Sequence, residues 1–304
     1  MTELSRIILQ QYQVRKTKKQ KLAFISLLQK HFPSALVQSG GFPKSRNIIV
    51  GDIEKAQVIL TAHYDTCAWL PFPNFIAPKN PLLSVLYSLL ICVPMIGLMF
   101  LARFLLGFVT DDPNIGFACA YLVMLFILAL MMIGPANRHT ANDNTSGVIV
   151  LSELLSTLSD AEKEKAAFVF FDNEEMGLLG SYLFRKKYKK LVANKLVINF
   201  DCVSDGDYIM VAANKAARKD LRDTIARSFL PAGNKSILQC RSETVFYPSD
   251  QANFPKSIAI AALHKRPLLG YCIGRIHTHR DTVFDKENIT FLCRCVLRLL
   301  KKLS

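Results

Sequence analysis

Two histidines and several carboxylates stand along this 304-residue chain where a divalent cation could be held. Three short apolar runs end in them. QVILTA (57–62) leads into His63-Tyr64-Asp65, AAFVFF (166–171) into Asp172-Asn173-Glu174-Glu175, and KLVINF (195–200) into Asp201. Asp143 sits in ANDNTSG, just before a predicted helix, and His277 in the polar stretch IHTHRDT. Imidazole nitrogen mixed with carboxylate oxygen suits Zn²⁺ or a similar ion. A two-metal site also needs a carboxylate that bridges ions ~3.5–4 Å apart. It further needs one carboxylate left free to take a proton from the attacking water. Glu174 and Glu175, neighbours in an irregular strand-end loop, can aim differently, one at the metal and one at the water. Asp65, two residues beyond His63, can accept the other imidazole N–H, which fixes the tautomer and raises ligand basicity.

The elements that must position these groups follow from the apolar pattern. QVILTA, AAFVFF, KLVINF and SIAIAAL (257–263) are continuous apolar runs, as expected of strands buried on both faces. NIIVGDI (47–53) and YIMVAA (208–213) are further strand candidates, and helices are expected at about 3–12, 16–31, 145–159, 177–190, 214–230 and 286–302. Asn144 or Thr145 is a candidate cap for the third of these helices, and Asp285 for the last. Strands alternating with helices give an α/β sheet covered on both faces. In such sheets ligands bind beyond the carboxyl ends of the strands, so one edge would gather His63, Glu174, Glu175 and Asp201.

Two stretches do not belong to that sheet. Residues 82–102 and 115–134 carry no charge, and the first stays largely apolar to Val109. Twenty helical residues span ~30 Å, the thickness of bilayer hydrocarbon. The polar TDDPN (110–114) between them suits the turn of a helical hairpin. The expected organisation is therefore an α/β domain made of 1–81 and 136–304, interrupted by a transmembrane hairpin at 82–135. The turn carries acids and no base, whereas Lys79 and Arg138 flank the hairpin and the chain has a net charge of +14. Positive charge stays inside, which puts the turn outside and the α/β domain in the cytoplasm of a two-span cell-membrane protein. A mean hydropathy of +0.23 excludes a disordered polymer. The eight cysteines form no CxxC pair, and the N-terminus lacks signal-peptide form, both consistent with a reducing compartment.

The motifs TAHYDT, ANDNTSGVIVLSELL, FVFFDNEEMGLLGS, VINFDCV, SDQANF and IHTHRDT, in this order, resemble metallopeptidase family 28, the co-catalytic zinc aminopeptidases. The resemblance covers roughly 45–68 and 137–300. It implies a three-layer α/β sandwich with a mostly parallel mixed sheet of the zinc exopeptidase type. It also implies two Zn²⁺ ions, with His63 and Asp201 on one, Glu175 and His277 on the other, and Asp143 bridging both. Glu174 would be the general base, and Asp65 would orient His63. Ser249-Asp250 falls in an element near the family's site. The implied reaction removes N-terminal residues from a peptide substrate. Soluble relatives have a short connection between Asp65 and Asp143 where this chain inserts the hairpin, which places the site close to a lipid bilayer.

Two alternatives follow from the same resemblance: acyl transfer as in the one-zinc glutaminyl cyclases, or a non-catalytic membrane module that keeps a peptidase-like domain. Of the other histidines, His139 is expected in a loop or at the membrane interface, and His279 competes with His277. No GxSxG elbow, Walker A loop or GxGxxG is present, and no nucleic-acid motif accompanies the basic charge.

Overall fold

A strand with no polar face must be covered on both sides, and the computed structural model, which describes residues 1–70, 72–109 and 112–303, does this with helices. Its elements run α1 (Glu3–Gln11), α2 (Lys18–His31), β1 (Leu36–Gly40), β2 (Ser45–Val50), β3 (Val58–His63), β4 (Phe75–Ile76), α3 (Pro81–Leu106), α4 (Pro113–Ile133), α5 (Gly147–Thr157) and α6 (Asp160–Glu164). They continue with β5 (Ala166–Phe171), α7 (Leu179–Lys187), α8 (Lys189–Val192), β6 (Leu196–Phe200), β7 (Tyr208–Ala213), α9 (Lys215–Ser228), β8 (Ser236–Arg241), β9 (Ser257–Arg266), β10 (Gly270–Gly274) and α10 (Lys286–Lys302). One sheet runs β1-β2-β5-β3-β6-β9-β10-β4, and β7 joins β9 and carries β8. The β5, β3, β6 and β9 neighbours are parallel, whereas β2 and β7 run against them.

Alternate residues of the central strands enter different cores. Val58, Leu60 and Ala62 of β3, with Phe168 and Phe170 of β5, face a layer holding Phe24 of α2, Val150 of α5 and Val296 of α10. Ile59, Val169 and Phe171 face the other layer, with Phe184 of α7. The period-2 geometry of strands divides one apolar run between two layers, giving the three-layer sandwich. Where strands β1, β8 and β10 form, the pattern gave no signal, because LVQSG, SILQCR and GYCIG mix small and polar residues. The helix expected at 177–190 is interrupted at Tyr188, whose φ of −102° and ψ of 24° leave the helical region.

Helices α3 and α4 leave this sandwich. Their apolar windows average 2.4 and 2.5 in hydropathy, with 0% and 11% of those residues buried. At 26 and 21 residues they reach ~39 and ~31 Å, long and apolar enough to cross a membrane. Asp112 caps α4 by accepting from Asn114 N at 2.8 Å, while Thr110 and Asp111 of the expected turn lie outside the described residues. Arg103 folds back over the Phe117 ring, 5.5 Å from its centroid, and lies where any side chain at Gly116 would stand. The two stems meet at the sandwich. Asn137 N donates to Cys67 O at 3.2 Å, Trp69 N donates to Pro135 O at 2.8 Å, and Ala68 bridges Ala136.

Candidate metal centre

The parallel register of β5, β3 and β6 decides what shares the carboxyl edge. His63 pairs with Phe171, and Thr61 pairs with Asn199, so the residues just past Phe171 and Phe200 surround His63. Asp143 comes in from the irregular turn before α5, where Gly147 N donates to Asn144 Oδ1 at 3.0 Å. His277 enters from the loop after β10. It is held at φ 59°, and Asn173 and Cys202 beside the site are left-handed too, at φ 57° and 54°. Each such non-glycine residue costs about 1–3 kcal/mol of backbone strain, which the surrounding structure must offset.

The expected donors converge. His63 Nε2 lies 3.4 Å from Asp143 Oδ1 and 3.4 Å from Asp201 Oδ1. His277 Nε2 lies 3.0 Å from Asp143 Oδ2 and 3.4 Å from Glu175 Oε2. Asp143 thus turns one carboxylate oxygen to each histidine. Donor atoms of His63, Glu174 and Asp201 fall within 4.8 Å of one another, as do those of His63, Asp143 and Glu175. His279 and His139 are both exposed, and neither falls in a donor group among the described residues. Asp250 is fully buried, and its charge acts on Glu174.

A second ring of groups fixes the first. The His63 Nδ1 contact is the Asp65 backbone carbonyl at 3.1 Å, with the Asp65 carboxylate farther off at 3.7 Å. That carboxylate instead accepts Glu174 N at 3.0 Å and Glu175 N at 3.3 Å, so Asp65 holds the two glutamates as well as facing the ring. Asp281 does the same for Asp143, accepting Asn142 N at 2.8 Å and Asp143 N at 3.0 Å. Arg15 is fully buried and donates to Tyr64 O at 2.5 Å and Thr145 Oγ1 at 3.1 Å, joining the His63 turn to the Asp143 turn. Sequence reasoning missed both residues. Asp281 was signalled by its place four residues after His277, whereas nothing in a basic N-terminal run marks Arg15 as interior.

So many buried acids are costly without cations. Burial, reinforced by Glu175, Asp250 and Asp201, pushes the Glu174 carboxyl well above its usual range despite His63. Burial and the Asp143 charge push Glu175 up to about 7, and burial pushes Asp250 to about 7 and Asp281 to about 8. Burial would lower His277, but Glu175 and Asp143 outweigh it and lift the ring to about 9. Asp143 goes down, because its contacts with His277 and His63 overcome burial. Among the described residues Glu175 Oε1 and Asp201 Oδ1 are buried with no hydrogen-bond partner, each costing about 1–3 kcal/mol. Buried carboxylate oxygens left without a hydrogen bond, beside imidazole nitrogens, are what divalent cations would satisfy, so the donor set fits zinc.

Sheet order, layering and donor set together define an α/β protein of the zinc exopeptidase type. The model of peptidase family M28 matches residues 128–297, more than half of the chain. The chain belongs to that family, which makes it a metal-dependent peptidase. Similar folds include the Legionella pneumophila LapA aminopeptidase, 14% identical at TM-score 0.55, with 99% of this chain and 68% of that chain covered. A Zn-dependent exopeptidase from Parabacteroides distasonis is 16% identical at TM-score 0.58, covering 98% and 97%. Porphyromonas gingivalis glutaminyl cyclase is 16% identical at TM-score 0.56, covering 99% and 98%. No curated protein matches the sequence.

Proposed function

We propose that the chain is a membrane-anchored aminopeptidase that hydrolyses peptides from a free N-terminus at a two-zinc site. The observation that carries this reading is Asp143, whose Oδ1 faces His63 and whose Oδ2 faces His277. A carboxylate so placed is built to serve two cations, with His63 and Asp201 holding one and Glu175 and His277 the other. Bound zinc supplies Lewis-acid polarisation of a carbonyl and makes water more acidic. The protein's own residues do the rest. Glu174 makes no side-chain hydrogen bond among the described residues, and burial has raised its proton affinity, as a general base requires. It takes a proton from the attacking water and returns it to the departing amine, so that the peptide bond is replaced by a carboxylate and a free amine. Asp65 keeps Glu174 and Glu175 apart in aim by holding both backbones.

In this reading residues 82–135 are the anchor, while 1–81 and 136–304 form the peptidase domain on the cytoplasmic side. The short stem pairing of Cys67 to Trp69 with Pro135 to Asn137 supports a site close to the bilayer surface. The glutaminyl cyclase likeness supports acyl transfer at a one-zinc site as the second reading. A panel of substrates with free and blocked N-termini, run with metal counting on purified protein, separates these. Two ions per chain and cleavage of free N-termini alone are expected. One ion with ring closure of an N-terminal glutaminyl substrate would favour the second reading, and cleavage indifferent to N-terminal blocking would contradict both.

A further inference from the structure

The segment leading from β3 into the hairpin passes against the metal centre and is fastened there. Arg15 N donates to Thr66 Oγ1 at 3.0 Å, Asn137 N to Cys67 O at 3.2 Å, and Leu70 N to His277 O at 2.8 Å. Cys67 is 2% exposed, yet it belongs to none of the three apolar clusters. Burial, reinforced by the charges of Glu175, Asp143 and Asp281, pushes its thiol well above the usual range. The Cys67 Sγ, a Glu175 carboxylate oxygen and a His277 ring nitrogen lie within 4.8 Å of one another. Ligands on one zinc, at bonds of ~2.0–2.3 Å, stand no farther apart than this. One of the two Glu175 oxygens has no partner.

A buried thiol is ordinarily a small core residue. Cys202 also lies within 4.8 Å of Asp143 and Asp201 oxygens, but it packs with Met210 and Ala259 as a core thiol does. Cys67 joins no apolar cluster among the described residues. We propose that Cys67 is a further ligand of the cation held by Glu175 and His277, an inference that rests on the metal-centre reading above. On binding, the thiol proton leaves to solvent as the sulphur–metal bond forms. A soft donor in a nitrogen and oxygen set biases that position towards zinc, cobalt or cadmium and away from magnesium and manganese. It also couples the hairpin to the site, because the ligand's own backbone carbonyl pairs with the returning stem at Asn137.

X-ray absorption at the zinc edge on the full chain in detergent, loaded with zinc, tests this. The expected spectrum contains sulphur, averaging about half a sulphur per zinc when one of the two ions carries the thiolate. The sulphur is expected to vanish in Cys67→Ser and to persist in Cys202→Ser. Stoichiometric zinc with only nitrogen and oxygen neighbours in the wild type would overturn the thiolate ligand and leave the metal centre standing. No stoichiometric zinc would overturn the metal centre itself. Sulphur that persists in Cys67→Ser and vanishes in Cys202→Ser would also overturn the proposal. Should Cys67→Ser not fold, the wild-type protein loaded with cobalt decides, since thiolate ligation gives a near-ultraviolet charge-transfer band that nitrogen and oxygen ligands do not.

Discussion

Asp281 shows how much of this site depends on residues that touch no substrate. Its carboxylate is the acceptor for the amides of Asn142 and Asp143, on the turn that aims the proposed bridging ligand. Asp281→Ala leaves two buried N–H groups unpaired, at about 1–3 kcal/mol each. Metal affinity is expected to fall about 10–100-fold, as for other groups that orient ligands. Metal titration and thermal unfolding measure both, and unchanged affinity would show that the turn holds itself. The titrating groups give a second test, on chelated protein. Glu175 rises from 4.5 to about 7, Asp250 from 3.8 to about 7, and Asp281 from 3.8 to about 8 on folding. Groups with raised folded values stabilise the fold below the unfolded value and lose that contribution as pH climbs through the folded one. His277, raised from 6.5 to about 9, acts in the same direction. Metal-free protein should therefore lose stability between about pH 4 and pH 9, and the stabilisation by added zinc should grow over that range. Melting curves with zinc or chelator read this directly. A zinc effect that shrinks with pH would contradict it.

At the scale of elements, what the sequence makes legible is what burial writes into it. Strands β3, β5 and β6, and β9 as far as Leu263, are covered on both faces and so are mainly apolar, and the acids and histidine at the ends of the first three stand out by contrast. Strand β8 at the sheet edge has half-exposed residues and no such pattern, and the two residues of β4 are too few to have one. The cap at Asp285 was legible because capping is local: Glu287 N donates to it at 2.7 Å. Arg15 was not, since its partners Tyr64 and Thr145 are distant in sequence and only the fold brings them near. The hairpin was legible by length and lack of charge alone, and its test belongs to this scale. Leu90 on α3 is 64% exposed, so arginine there would cost a water-facing helix almost nothing. In a bilayer it costs about 2.5–3.5 kcal/mol near the helix centre. With a glycosylation acceptor carried on a linker in the turn, translation into microsomes should modify the wild type and modify Leu90→Arg less. An unmodified wild type would mean that the hairpin does not cross.

For the whole molecule, the hairpin and the chemistry are joined at one place. Both stems leave from residues neighbouring the donor set, Cys67 to Trp69 on one side and Pro135 to Asn137 on the other. On the proposed reading the peptidase works at a membrane surface, where its net charge of +14 would suit an anionic leaflet. All of this depends on Glu174 acting as a base beside a loaded cation pair. The most direct measurement compares wild type with Glu174→Gln for bound zinc and for hydrolysis of an aminoacyl reporter. The account requires equal zinc in both proteins and activity lowered about 10²–10⁴-fold in the variant. Equal activity at equal zinc would contradict it.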